Sequence, residues 1–152
     1  MTRIAVKYGL LITLSVIAWV VIAHLLVPDP TSNVHKAGAG IFFNVVEILG
    51  IYFGIREKGR SEGGRTSFKD GLKTGMIIAF VYALTAALFF LAELLVIGPQ
   101  LMAAEPGAAA RSKPFWQVAA GAFAGLFVFA IFFGLIYSTV ISSMLARRRR
   151  TA

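Results

Sequence analysis

Apolar residues fall into four long blocks along the 152-residue chain, separated by short polar stretches. Residues 8–27 contain no Asp, Glu, Lys or Arg, residues 37–55 and 74–98 contain one acid each, and residues 115–146 contain none. A helix needs roughly 20 apolar residues to cross the ~30 Å hydrocarbon core of a bilayer. The pattern predicts an all-α membrane protein, a single domain of four transmembrane helices at about residues 5–27, 37–55, 74–98 and 115–146.

The first block follows two basic residues, as the apolar region of a cleavable signal peptide does. Its apolar run is longer than the roughly 7–15 residues of such a region, and no A-x-A cleavage site precedes Pro28. We therefore expect this block to be retained as the first span.

Basic residues predict the orientation in the membrane. Twelve of the 15 Lys and Arg residues precede the first span, separate the second from the third, or follow the fourth, whereas three lie in the other two loops. An excess of basic residues marks the cytoplasmic side, so both termini and the middle loop are expected there. This placement accounts for the net charge of +8 without nucleic acid. It favours contact with anionic lipid headgroups at Lys69, Lys73, Arg147, Arg148, Arg149 and Arg150.

Polar and proline-bounded stretches predict the loops. Glu57–Thr66 is polar and glycine-rich, and Pro99–Pro114 is bracketed by prolines. After the first of these loops, Ser67 and Asp70 have the spacing of a capping box that opens a helix. Phe68 and Leu72 then share one face while Lys69 and Lys73 share its neighbour, which predicts a short interfacial amphipathic helix before the third span.

Small residues recur at intervals of four within the predicted spans. Such stripes allow helix backbones to approach closely in lipid, either inside one bundle or between two copies of a chain. The predicted helix-packing residues are Gly50, Gly54, Gly75, Ala79, Ala83, Gly121 and Gly125.

The segment FGIREKGRSEGGRTSFKDGLKTGMI resembles a family of small bacterial membrane proteins, the domain-of-unknown-function family 4199. The sharpest part is Ser67-Phe68 followed by Gly71-Leu72 and Gly75, and the similar layout extends over nearly the whole chain. The resemblance implies four helices in a bacterial inner membrane and no particular activity. The loop before the fourth span is shorter and less charged here than in the family, so its role is not carried over.

The sequence lacks the motifs of common enzymes. It contains two histidines, no cysteine, no H-E-x-x-H motif and no phosphate-binding G-x-x-x-x-G-K-[ST] loop. We therefore predict no catalytic residues, no metal site and no cofactor.

Several polar residues lie deep within the predicted spans. Ser15, Glu47 and Tyr82 each lie about eight residues from the inner end of a span, roughly 12 Å into the membrane. Ser138 has the same depth, with Tyr137 as the alternative if the long fourth span shifts. Asn44 lies one turn from Glu47 on the same face. These residues predict a polar site of Glu47, Asn44, Tyr82 and Ser15.

A charged carboxylate is costly in hydrocarbon, so Glu47 is expected to be neutral or to face a polar cavity. Two interpretations follow: a neutral Glu47 that donates a hydrogen bond and holds helices together, or a site that titrates in function. Nearer the outer ends, His24 and Glu93 lie at matching depths, where they either pair or reach the aqueous interface.

Two classes of function remain open. The first is a non-enzymatic accessory, assembly or regulatory membrane subunit, present as a homo-oligomer or within a larger membrane complex. The second is a small oligomeric proton-linked permease or channel that uses Glu47.

Overall fold

The chain folds into four long α-helices. A computed structural model describes residues 2–26, 33–63, 67–104 and 114–147. The helices are α1 (Thr2–Leu26), α2 (Asn33–Ser61), α3 (Phe68–Ala104) and α4 (Phe115–Arg147), and the described residues contain no strand. Each helix is long and apolar enough to cross a membrane. The predicted all-α fold is therefore confirmed.

Both predicted loops begin later than expected, because the helices before them extend further. α2 continues to Ser61 because Lys58 pairs with Glu62 one turn later and the Ser61 hydroxyl donates to the Lys58 carbonyl at 2.8 Å. α3 passes through Pro99 and ends at Ala104. Its last residues include leucine, methionine and alanine, which have high helix propensity and favour continuation.

α3 begins with the predicted capping interaction. The Asp70 amide donates to Ser67 Oγ at 3.1 Å, and this hydroxyl donates to Asp70 Oδ2 at 2.6 Å. From Phe68 onward the chain is one continuous helix, so the predicted amphipathic segment is the first turns of α3 and not a separate helix. Its placement at the membrane interface stays a prediction.

α3 is the central helix of the bundle. It contacts each of the other three helices and packs most extensively against α4. Within the chain, 39% of its apolar span is buried, against 11% of that of α4. Isoleucines from three helices, among them Ile12, Ile51 and Ile78, form the fully buried centre of the core. α4 consequently lies at the edge of the bundle.

Small side chains on both helices bring α3 and α4 close together. A Cβ atom built on Gly71 would lie 2.7 Å from Ser142 Oγ, and one built on Gly75 would lie 2.7 Å from Ser138 Cβ. Real Cβ atoms do not approach other atoms this closely, so both glycines are required for the observed packing. The predicted stripe of Gly75, Ala79 and Ala83 is buried inside the bundle.

The two G-x-x-x-G pairs differ in their surroundings. A Cβ on Gly50 would overlap the Ile12 side chain, and one on Gly54 would lie 3.2 Å from the Tyr8 ring. This pair therefore packs within the chain. Cβ atoms on Gly121 and Gly125 would meet no atom of the described residues within 4 Å.

Candidate functional site

Glu47 lies at the middle of α2, with its side chain buried inside the bundle. It is 4% exposed, and its Oε1 atom is buried with no hydrogen-bond partner in the described part of the chain. The carboxyl group approaches α4 where Gly134 lacks a side chain: a Cβ there would lie 3.1 Å from Glu47 Oε1. The close approach of α4 thus encloses a carboxyl group whose Oε1 atom has no hydrogen-bond partner among the described residues.

The Glu47 cavity, as we call the space beside this residue, has a volume of about 190 Å³. It is formed by side chains of α2, α3 and α4, and its polar lining consists of Asn44, Glu47 and Tyr82. The remaining lining is apolar, with several small residues, one leucine and four aromatic rings: Phe43, Phe90, Phe129 and Phe133. It is an aromatic cavity with one acid in its wall.

Asn44 is already hydrogen-bonded to other groups. Its Nδ2 atom donates to the Gly40 carbonyl at 2.7 Å, and the Tyr137 hydroxyl donates to its Oδ1 atom. Asn44 therefore links α2 to α4 without satisfying Glu47 Oε1. The interpretation of Glu47 as a hydrogen-bonded link between helices stays a prediction.

Three of the four residues predicted for the polar site line this cavity, and the fourth does not. Asn44, Glu47 and Tyr82 come together, whereas Ser15 donates to the Leu11 carbonyl of its own helix at 2.9 Å. No residue of α1 is among the described residues that line the cavity. Matching depth was the reason for including Ser15, and depth does not specify which side of a helix a residue occupies.

Gly134 and the aromatic walls of the cavity were not among the predicted site residues. Gly134, Ser138 and Ser142 recur at intervals of four on α4, as Gly71, Gly75 and Ala79 do on α3. A search for paired small-residue stripes, instead of glycine pairs alone, would have found this interface. Phenylalanines give no comparable signal, because they occur throughout the second, third and fourth apolar blocks.

The other predicted sites are less defined. Glu93 is half-buried and lines clefts on both sides of α3, but the His24 side chain lies outside the described residues, so their pairing stays a prediction. Lys69 and Lys73 are exposed, as headgroup contact requires. The Arg147 side chain and Arg148, Arg149 and Arg150 lie outside the described part of the chain.

An ionic cluster joins α1 to the end of α2. Lys7 Nζ lies 2.9 Å from Glu57 Oε2, and the Tyr8 hydroxyl donates to the same oxygen at 2.6 Å. These groups link the two helices. Within the described residues, no group of three or more His, Asp or Glu side chains is placed to hold a metal ion.

Four helices of this length and hydropathy define an integral, multi-pass membrane protein. The chain belongs to the family described as "Protein of unknown function (DUF4199)", whose sequence profile matches residues 7–147, nearly the whole chain. This match confirms the resemblance based on the segment around Ser67. Among curated proteins and solved structures, none matches.

Proposed function

We propose that this protein is a non-enzymatic subunit of a bacterial inner membrane that assembles with, or regulates, another membrane protein. The observation that carries the proposal is the exposure of α4. Only 11% of its apolar span is buried within the chain, and Cβ atoms built on its glycine pair, Gly121 and Gly125, would meet no atom of the described residues within 4 Å.

The contrast with the glycines of α2 and α3 supports this function. Gly50, Gly54, Gly71 and Gly75 are each covered by a side chain of a neighbouring helix. In lipid, helix association depends on close packing and not on removal of apolar surface from water. Exposed glycines one turn apart provide the flat surface that such packing needs, so the partner is a transmembrane helix of a second copy or of another protein.

Enlarging the exposed glycines is expected to release the chain from its partner. The wild type should leave the native membrane, under mild extraction, as a particle larger than one 16.4 kDa chain. With Gly121→Leu and Gly125→Leu combined, it should appear as a single chain, because leucine side chains block the close approach of a helix. Native mass spectrometry or size-exclusion chromatography with light scattering measures this change.

Ala120→Leu is the matched control. It adds a leucine at an exposed neighbour that points to a different side, since successive helical residues are about 100° apart. It should leave the particle unchanged. A wild type that is already a single chain in its native membrane, or a double variant with an unaltered particle, would contradict the proposal.

The proposed topology has its own test. With both termini and the loop after α2 in the cytoplasm, a periplasm-active reporter fused at Ala152 or inserted at Gly63 should be inactive. The same reporter inserted in the Pro99–Pro114 loop, beyond the end of α3 at Ala104, should be active. The opposite pattern would reverse the orientation. Headgroup contacts of Lys69 and Lys73 are part of the same proposal.

A second candidate function is a proton-linked permease or channel, and the Glu47 cavity favours it. A buried acid whose Oε1 atom has no hydrogen-bond partner among the described residues, next to a space of about 190 Å³, is the arrangement that an intramembrane titrating site requires. Four helices enclose little room for a pathway, so this function would place the pathway between copies of the chain. Variants of Glu47 distinguish the candidates.

A further inference from the structure

We propose that the Glu47 cavity binds an organic cation: an amine or quaternary ammonium group carried on an apolar body about the size of a benzene ring. This inference goes beyond assembly with a membrane partner. It also gives the proton-linked function a ligand class, and binding can be tested without transport.

The charges around the cavity indicate a cationic ligand. Glu47 is nine-tenths buried or more, and its Oε1 atom, enclosed by α2, α3 and α4, has no donor in the described residues. The titratable groups that face it are the hydroxyls of Tyr82 from α3 and Tyr137 from α4. No Lys, Arg or His is among the described residues lining the cavity. A bound cation pairs with the carboxylate form of this acid, and an amine can in addition donate a charge-assisted hydrogen bond to it.

The aromatic walls select an organic cation over a metal ion. Phe43 and Phe90 lie 6.3 Å apart between ring centroids, and Phe129 and Phe133 lie 4.6 Å apart on α4. Aromatic faces attract ammonium groups, most strongly when both are removed from water. Calcium requires about six to eight oxygen ligands, and the apolar lining does not provide them.

The volume sets the size of the ligand. An apolar cavity of about 150 Å³ accommodates benzene, so about 190 Å³ accommodates an aromatic ring with a small ammonium group. A second cavity of similar size shares Phe90 and Leu126 with the first and extends between α3 and α4 toward Ala119. A longer apolar substituent can therefore extend along this groove.

Binding of such a cation exchanges it for a proton. In the empty cavity the neutral acid is favoured, because a carboxylate in hydrocarbon is costly. When the cation enters, the O–H bond of Glu47 breaks, the electron pair stays on the carboxylate, and the proton passes to the aqueous phase. The net charge in the cavity stays zero, because a neutral acid is replaced by an ion pair. Affinity for a permanent cation should therefore rise with pH, by up to about tenfold per unit.

Benzyltrimethylammonium is a suitable probe, and neopentylbenzene is its uncharged isostere. With protein purified in uncharged detergent, the cation should raise the unfolding temperature more as pH rises, and it should release up to one proton per chain into weakly buffered solution. The isostere should release none. Glu47→Gln should reduce the affinity for the cation at least tenfold and abolish proton release.

Two further variants complete the test. Glu57→Gln changes a glutamate of the same helix outside the cavity and should alter affinity less than twofold. Gly40→Leu places a side chain in the cavity where a Cβ meets no described atom within 4 Å, so it should fold and weaken binding without touching Glu47. Equal responses to cation and isostere, unchanged binding by Glu47→Gln, or no binding at any pH would overturn the inference. None of these outcomes affects the assembly proposal, which depends on α4.

Discussion

Replacing Gly134 with leucine is expected to abolish the native packing of α3 against α4 and to lower the free energy of unfolding by about 3 kcal/mol or more. At this position a Cβ would overlap the Ala79 Cβ and lie 3.5 Å from the Ala79 Cα, an atom of the α3 backbone. Alanine side chains have no rotamer that moves aside, so the whole helix must shift. Thermal unfolding in detergent, followed by fluorescence or by size-exclusion chromatography, measures the loss.

Gly134→Ala and Gly125→Leu are the comparison variants for this prediction. The alanine variant adds only the overlapping Cβ and should cost about 1–3 kcal/mol. The leucine at Gly125 is the same substitution on the same helix, where no described atom lies within 4 Å, and should change the stability of the isolated chain by no more than about 0.5 kcal/mol. If Gly134→Leu and Gly125→Leu were equally stable, the close contact of α3 and α4 would not exist.

The fold was predictable because a single segment that crosses a membrane has to be a helix. A segment such as residues 115–146, apolar and without charge, has to satisfy its backbone hydrogen bonds internally, which in one segment means a helix. The Ser67–Asp70 cap was predictable for a related reason, since it depends on two residues that are three positions apart in the sequence. Both are local properties, and local properties are readable without knowledge of packing.

The candidate site was predictable only in part, because it depends on the rotation of each helix. Depth along a helix follows from residue number, and it grouped Glu47 with Tyr82, which line the same cavity. It grouped Ser15 with them too, although that residue belongs to a helix that does not reach the cavity. The sequence alone did not show that Gly134 would bring α4 against the acid, because this contact joins two helices that are far apart in the chain.

Replacing Glu47 with leucine is expected to make the protein more stable, by about 1–3 kcal/mol, and to remove its capacity to exchange a cation for a proton. A buried polar atom without a hydrogen-bond partner costs about this much, and Glu47 Oε1 is such an atom among the described residues. An apolar side chain of similar length has no such cost and fills space beside Phe43 and Phe133. Thermal unfolding at neutral pH measures the gain.

Glu47→Gln separates the loss of the acid from the change in polarity. Glutamine keeps the shape and a polar end but does not titrate, so it should unfold within about 0.5 kcal/mol of the wild type and still release no proton. Glu57→Gln, on the same helix, removes a carboxylate that is paired with Lys7, and the proton release of this variant should equal that of the wild type.

The direction of the stability change decides between the two interpretations of Glu47. If the residue holds helices together through hydrogen bonds, leucine leaves its partners unpaired and should lower stability by about 1–2 kcal/mol. If the acid is retained for function at a cost to the fold, leucine should raise stability, as substitutions at strained functional sites often do. The geometry favours the second result, because Asn44 already accepts a hydrogen bond from Tyr137 and donates one to Gly40. A stabilised Glu47→Leu variant that exchanges protons as the wild type does would contradict both interpretations and place the function of this bundle elsewhere, on the exposed face of α4.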